Sequence, residues 1–148
     1  MLFDLGPSGE TLENAKRLGI DPEKVDAVIL SHGHYDHSGG ILPFSLINSR
    51  AEIYMQGSAL ADYYADDGEN AENRYRYIGI DKEIAQLPQT RLLSGDCRIV
   101  EGIELFTLKK GAAHCPLRIS VCLLKQEMLI KGMSFRMSSI LRSAAFIL

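Results

Sequence analysis

The run Asp26-Ala27-Val28-Ile29-Leu30-Ser31 passes directly into His32-Gly33-His34-Tyr35-Asp36-His37. The first half is a near-continuous apolar run of strand length. It predicts a strand buried on both faces, as in a layered α/β protein. The second half places three imidazoles and a carboxylate within six residues. Imidazole nitrogen and carboxylate oxygen are ligands that suit zinc, iron or manganese. A loop, unlike a helix, can turn His32 and His34 toward one metal while Asp36 and His37 face another. Two ions about 3.5–4 Å apart can share a bridging hydroxide, lower its pKa and clamp the oxygens of a hydrolysed group. Gly33 is expected to let the backbone bend closely around the ion. Gly39-Gly40 are expected to bring the next helix start near the site, where free N–H groups favour an anionic substrate. A lone histidine after a strand reads as a loop residue; four ligand-type residues in this order read as a metal centre.

The flanking sequence supplies the layers. Met1 to Asp4 reads as a short strand that ends at Gly6-Pro7-Ser8-Gly9. Glu10 to Leu18 predicts a helix, with Leu12, Ala15 and Leu18 at helical spacing and acids at its N-terminal end. Gly19 followed by Ile20 is a glycine stop with an apolar residue just beyond it. Asp21-Pro22 restarts a short turn, with Asp as cap. Ile41 to Ile47 predicts a helix capped by Ser38, and Ala51 to Met55 a strand. Residues 57–78 read as acidic, tyrosine-rich and irregular. Asp81 to Gln86 predicts a short helix. Thr90 to Leu93 and Cys97 to Leu108 predict a β-meander with turns at Ser94-Gly95-Asp96 and Glu101-Gly102.

The chain has 148 residues, 46% of them apolar and 24% charged, which suits one globular domain and excludes wholesale disorder. No apolar run approaches the ~18 residues of a membrane helix, and no secretory leader pattern is present. Three cysteines (Cys97, Cys115, Cys122) contain no Cys-x-x-Cys pair and fit reduced thiols in a cytoplasmic setting. The net charge of −3 gives no case for nucleic-acid binding. That average hides a break. Residues 1–108 carry 9 Lys and Arg against 18 Asp and Glu, whereas residues 109–148 carry 7 against the single acid Glu127. The expected division is therefore a partial domain over 1–108 and a basic, poorly patterned tail over 109–148. The tail reads either as a shifted reading frame or as a genuine short form with a basic partner- or membrane-binding end.

A strand followed by His-x-His-x-Asp-His resembles the metal signature of the metallo-β-lactamase fold superfamily. The opening Leu2-Phe3-Asp4-Leu5-Gly6 is similar to that family's earlier strand-end motif, whose Asp buttresses the metal loop. Leu2 to Ile41 resembles a subgroup of metal-dependent hydrolases related to dihydropterin-ribofuranosyl-aminobenzene-phosphate synthase. The resemblance is strong over the first 56 residues and extends to about Thr107. It implies an αββα sandwich with the site at the edge of two stacked sheets, here in partial form. It implies that His32 and His34 serve a first metal, Asp36 and His37 a second, and that Asp36 also orients the bridging hydroxide as the catalytic residue. Zinc, as one or two ions, is the implied cofactor, with iron or manganese as substitutes. The implied reaction is attack of metal-bound hydroxide on an ester, phosphoester or amide bond of a small-molecule substrate.

Most hydrolases of that family use five histidines and two aspartates for two metals, and this chain has four histidines in total. Its fourth, His114, sits in Gly111-Ala112-Ala113-His114-Cys115-Pro116, where no buried strand precedes it to aim the ring. One copy of this chain therefore cannot build the usual complete site. The expectations divide into a hydrolase, an inactive metal-binding fragment, and an oligomer in which another chain donates ligands. Tyr54, Tyr63, Tyr64, Tyr75 and Tyr77 read as residues that pack a long loop onto the core, with a substrate cleft as the alternative.

Overall fold

The computed structural model describes residues 1–100, 102–107 and 122–125. Four short strands form one parallel sheet in the order β1 (Leu2–Phe3), β2 (Ala27–Ile29), β3 (Glu52–Gln56) and β6 (Thr90–Leu93). Leu2 lies opposite Val28, Val28 opposite Ile53, and Ile53 opposite Thr90. Parallel neighbours require crossovers, and helices α1 (Glu10–Arg17), α2 (Tyr35–Ser38) and α3 (Ile41–Ile47) lie within the first two. α1 ends as its sequence predicts. Gly19 has φ +76°, and the Ile20 N–H donates to the Ala15 carbonyl at 2.9 Å.

The apolar run at 27–30 is buried because its alternate side chains feed two cores. Val28 and Leu30 join Leu2, Ile53 and Met55 on one face, against Leu12 of α1 and Ile41 and Phe44 of α3. Ala27 and Ile29 join Tyr54 and Leu105 on the other. That second face is covered by an antiparallel sheet of β7 (Cys97–Val100), β8 (Ile103–Thr107) and β9 (Cys122–Lys125). Among the described residues the layers are thus helices, parallel sheet, antiparallel sheet, an α/β arrangement. Tyr54 is buried between the two sheets, and its hydroxyl donates to Glu52. Burial, followed by that carboxylate, pushes the Tyr54 phenol up to about 12.

Several local expectations are corrected. Thr90–Leu93 does not enter a meander with β7. It adds in parallel to β3, because Ile53 and Tyr54 carry the sheet onward beside it. Residues 57–78 are not irregular throughout: a 3₁₀ turn over Gly57–Leu60 leads to an antiparallel hairpin of β4 (Tyr64–Asp66) and β5 (Tyr75–Tyr77). Two bidentate arginine pairs, Arg74 on Asp66 and Arg76 on Asp67, tie that hairpin. The expected helix at 81–86 is a 3₁₀ turn capped by Asp81. Ser38 does not cap α3. It is buried at the end of α2, and Gly40 stands at the α3 N-cap with no side-chain bond. His114, Cys115 and most of the 109–148 tail lie outside the described residues.

One buried polar residue joins three elements that the sequence reading treats separately. Asn48, 3% exposed, ends α3. Its amide donates to the Pro22 and Val25 carbonyls at 2.9 and 2.8 Å, and its carbonyl oxygen accepts from the Arg50 and Ala51 N–H groups. Truncation leaves these buried backbone groups without partners, at about 1–3 kcal/mol for a single such group. Asn48→Ala is therefore expected to lower stability by at least ~2 kcal/mol in urea unfolding. A loss below half of that would mean water replaces the amide.

Candidate metal centre

The loops at the carboxyl ends of β1, β2 and β3 converge at one edge of the parallel sheet. β1 delivers Asp4, β2 delivers Ser31 and the histidine loop, and β3 delivers the turn over Gly57–Leu60. Asp4 takes φ +53°, a left-handed conformation that Asp tolerates better than most residues. Its own N–H donates to the Ile29 carbonyl at 2.9 Å, and the next N–H, of Leu5, donates to the His37 carbonyl at 2.8 Å. The bend leaves the carboxylate facing the start of the histidine loop.

That carboxylate organises the site. Asp4 Oδ1 accepts from the Ser31 N–H at 2.8 Å, and Oδ2 accepts from the Ser31 hydroxyl at 2.7 Å. His37 Nδ1 lies 2.8 Å from the same Oδ2. Ser31 Oγ lies 2.8 Å from His32 Nδ1. The serine has one hydrogen and gives it to Asp4, so its oxygen must accept from His32. A carboxylate accepts only, so His37 must donate as well. His32, whose neutral form burial favours, is thereby fixed with the proton on Nδ1 and a lone pair on Nε2, and His37 carries a proton on Nδ1. A hydrogen-bonded second nitrogen is the usual device that orients metal-binding histidines.

His32 Nε2 lies 3.1 Å from His34 Nδ1. Two nitrogens on one tetrahedral zinc, with bonds of about 2.0–2.1 Å, stand about 3.3 Å apart, so this pair matches one edge of such a site. His37 packs 4.1 Å from His32 between ring centroids, and Asp36 Oδ2 is 3.8 Å from His37 Nε2. The four sequence-identified residues are thus brought together, but not into a closed set. Among the described residues no three His, Cys, Asp or Glu side chains form a cation-holding group. His32 and His34 are the converged pair; Asp36 stays largely exposed on the first turn of α2.

The electrostatics keep that pair neutral. Burial holds His32 below the ordinary imidazole value of 6.5. His37 and His34 push the same way, and Asp4 and Asp36 oppose them. Burial likewise lowers His34, against Asp36 and with His37. Neutral imidazole is the form that ligates.

The glycines act differently from their sequence reading. A Cβ on Gly33 would sit 2.3 Å from the Ala59 carbonyl oxygen, so Gly33 admits a neighbouring backbone rather than a bend around an ion. Cβ atoms on Gly39 and Gly40 would sit 2.0 and 2.3 Å from the carbonyl oxygens of Pro7 and Leu5. These two glycines dock the helical segment on the loop after β1. Sequence reasoning also missed Ser31 as the relay. Its place directly before His32 was the available signal.

A family model described as the metallo-beta-lactamase superfamily matches residues 1–132. The chain belongs to the metallo-beta-lactamase superfamily. The matched stretch continues past Thr107, where the resemblance read from the sequence ends, and includes β9. An uncharacterised protein of Methanocaldococcus jannaschii is 36% identical over 104 residues, covering 68% of this chain and 36% of the relative. The 7,8-dihydropterin-6-methyl-4-(beta-D-ribofuranosyl)-aminobenzene-5'-phosphate synthase of the same organism is 32% identical over 111 residues, covering 73% and 37%. The chain thus spans little over a third of the length of these curated relatives. Among solved structures, the metallo-beta-lactamase MIM-1 from Novosphingobium pentaromativorans matches with TM-score 0.47 and 20% identity over 81% of this chain and 42% of that one. A quorum-quenching N-acyl homoserine lactone lactonase matches with TM-score 0.46 and 21% identity over 71% and 44%. Among the described residues no helix is long and apolar enough to cross a membrane.

Two outcomes follow from the superfamily loop as built here. Nitrogen NMR of the metal-free protein should find His32 and His37 protonated on Nδ1, and Asp4→Asn should remove that preference at His37; mixed tautomers in the parent protein would contradict the relay. Acid sensitivity is the second. His32 and His34 take up a proton less readily folded than unfolded, so the unfolded chain gains protons first as pH falls below 6.5. Their contribution is complete above 6.5 and declines below it. The melting temperature should fall on acidification from pH 7 to 5, and less steeply in His32→Asn; parallel slopes would remove this account.

Proposed function

We propose that this chain carries one half of the centre of a metal-dependent hydrolase that cuts ester-, phosphoester- or amide-type bonds in a small molecule. The observation that supports it most is the 3.1 Å pairing of His32 Nε2 with His34 Nδ1 behind a Ser31–Asp4 relay. In this reading His32 and His34 hold the first ion, and Asp36 and His37 hold the second. Zinc, iron or manganese, when bound, would lower the pKa of a coordinated water and polarise the scissile carbonyl or phosphoryl group. Asp36 acts as the catalytic carboxylate: it accepts a hydrogen bond from the attacking water and orients it. Asp4 and Ser31 touch no reacting atom; they hold two imidazoles ready to ligate. We divide the chain by charge at residue 108 into this partial domain and the basic segment 109–148, whose β9 completes the antiparallel sheet. A cytoplasmic setting, in which Cys97 stays a thiol, belongs to the same proposal.

A second reading has an observation of its own. His32, His34 and His37 are the only histidines among the described residues. A catalytically inactive metal-binding fragment fits this short donor set, as does an oligomer that completes the ligand set between copies.

Metal analysis after zinc loading, joined to a screen of phosphodiester and thioester substrates, separates the readings. The hydrolase reading expects turnover that is lost with a chelator and with His34→Ala. Asp4→Asn should bind zinc about 10–100-fold more weakly. Bound zinc without turnover leaves the fragment reading, and no bound metal at micromolar zinc removes both. A strictly monomeric protein that turns over substrate removes the shared site.

A further inference from the structure

The relay that orients His32 and His37 has no counterpart at His34. Among the described residues, the His34 ring makes its one hydrogen bond to His32 Nε2, the atom with which it must share an ion. His32 also meets that ring edge-to-face, with centroids 4.4 Å apart and planes at 74°. The edge-to-face contact from outside the histidine pair comes from Tyr63, with centroids 5.4 Å apart and planes at 72°. That geometry is one aromatic pairs prefer.

Tyr63 is itself held at three points. Its hydroxyl donates to the Ser58 carbonyl at 2.8 Å. Its carbonyl accepts from the Ile78 N–H at 2.9 Å, and the Ile78 carbonyl in turn accepts from the Tyr35 N–H at 3.0 Å. Its ring also fills the space beside Gly33, where a Cβ would meet Tyr63 Cε2 at 2.7 Å. Residues 33–35 of the metal loop are therefore bracketed on one side by the 3₁₀ turn after β3 and the base of the β4–β5 hairpin, with Tyr63 at the junction.

We propose that Tyr63 is a positioning residue for the metal loop, whose ring, packed edge-to-face, holds the His34 imidazole so that Nδ1 stays opposite His32 Nε2. It does for His34 by packing what Asp4 and Ser31 do for His32 and His37 by hydrogen bonding. Packing fixes the plane of the ring, while the hydrogen bond to the His32 Nε2 lone pair places its proton on Nδ1 in the metal-free protein. His34 remains able to give up its Nδ1 proton when that nitrogen must ligate, whereas His32 and His37 are already committed to Nε2. The metal consequence rests on the proposed function, but the ring geometry does not.

The test uses the full chain with Tyr63→Phe and Tyr63→Leu. In the metal-free protein, imidazole NMR should find the His34 signals shifted and broadened in Tyr63→Leu, while those of His32 and His37 stay in place. Tyr63→Phe should restore the His34 signals. Zinc affinity, read by competition with a chromophoric chelator, should fall about 10–100-fold in Tyr63→Leu, the range seen when outer partners of ligands are removed. In Tyr63→Phe it should stay within about threefold, since one peripheral hydrogen bond is lost. A purely structural tyrosine would lower the melting temperature of both variants yet leave the His34 ring signals unchanged in Tyr63→Leu, and that result overturns the proposal. If Tyr63→Leu does not fold, broadened His34 signals or weakened zinc binding in the ring-retaining Tyr63→Phe would overturn it instead. If the parent protein takes up no zinc, the proposed function fails, and the metal-free spectra still decide the role of Tyr63.

Discussion

A single carboxylate holds the functional edge of this protein together. Asp4 receives the backbone and hydroxyl of Ser31 on its two oxygens and His37 on one of them. Through Ser31 it also fixes His32. Two histidines that sequence reasoning assigns to different metals are thus tied to one carboxylate, His37 directly and His32 through the Ser31 hydroxyl. The arrangement depends on Asp4 adopting φ +53° directly after β1, and a strained residue of this kind persists only where its surroundings over-determine it. Here the surroundings are the Asp4 N–H on Ile29 and the Leu5 N–H on His37, which tie the bend to β2 and to α2.

The sheet beneath supplies the rigidity. Alternate residues of β1, β2 and β3 enter two cores, so the strands are clamped between helices and an antiparallel sheet. Parallel pairing brings the carboxyl ends of those strands to one edge, and loops there inherit a fixed spacing. Glycines then allow approach closer than any side chain would permit: Gly33 against Ala59, Gly39 against Pro7, Gly40 against Leu5. Asn48 performs a comparable task at the opposite end of α3, where it replaces backbone partners that the turn at 22–25 and the start of β3 would otherwise lack. The result is a site whose backbone is over-constrained while one ligand-type side chain, Asp36, remains exposed.

Much of this was legible in the chain itself. The apolar run at 27–30 marked a strand buried on both faces, because a strand between two layers has no solvent side to encode. The density of imidazoles after it marked the candidate site, because no packing role calls for four ligand-type residues in six positions. The glycine stop after α1 and the Asp21 cap were equally readable, since both depend on contacts within a few residues. The β4–β5 hairpin was harder, because its cross-strand arginine pairs join residues eight and nine positions apart within a polar stretch that has no alternation.

What the sequence by itself determined is local: which segments bury both faces, where helices stop, and which residues are chemically able to bind a metal. The tertiary structure alone decided the rest. Thr90–Leu93 joins β3 rather than β7, since a short strand with two exposed positions fits either sheet and only the packing of the whole selects one. Asp4 meets Ser31 and His37 across 27 and 33 residues of chain. Tyr63 meets His34 through a hairpin that folds back over the loop. Such pairings carry no periodicity, because they depend on where strands end in space and not on spacing along the chain. The tautomers of His32 and His37 are the clearest case: residue type makes each ring able to ligate, and a distant carboxylate chooses the nitrogen.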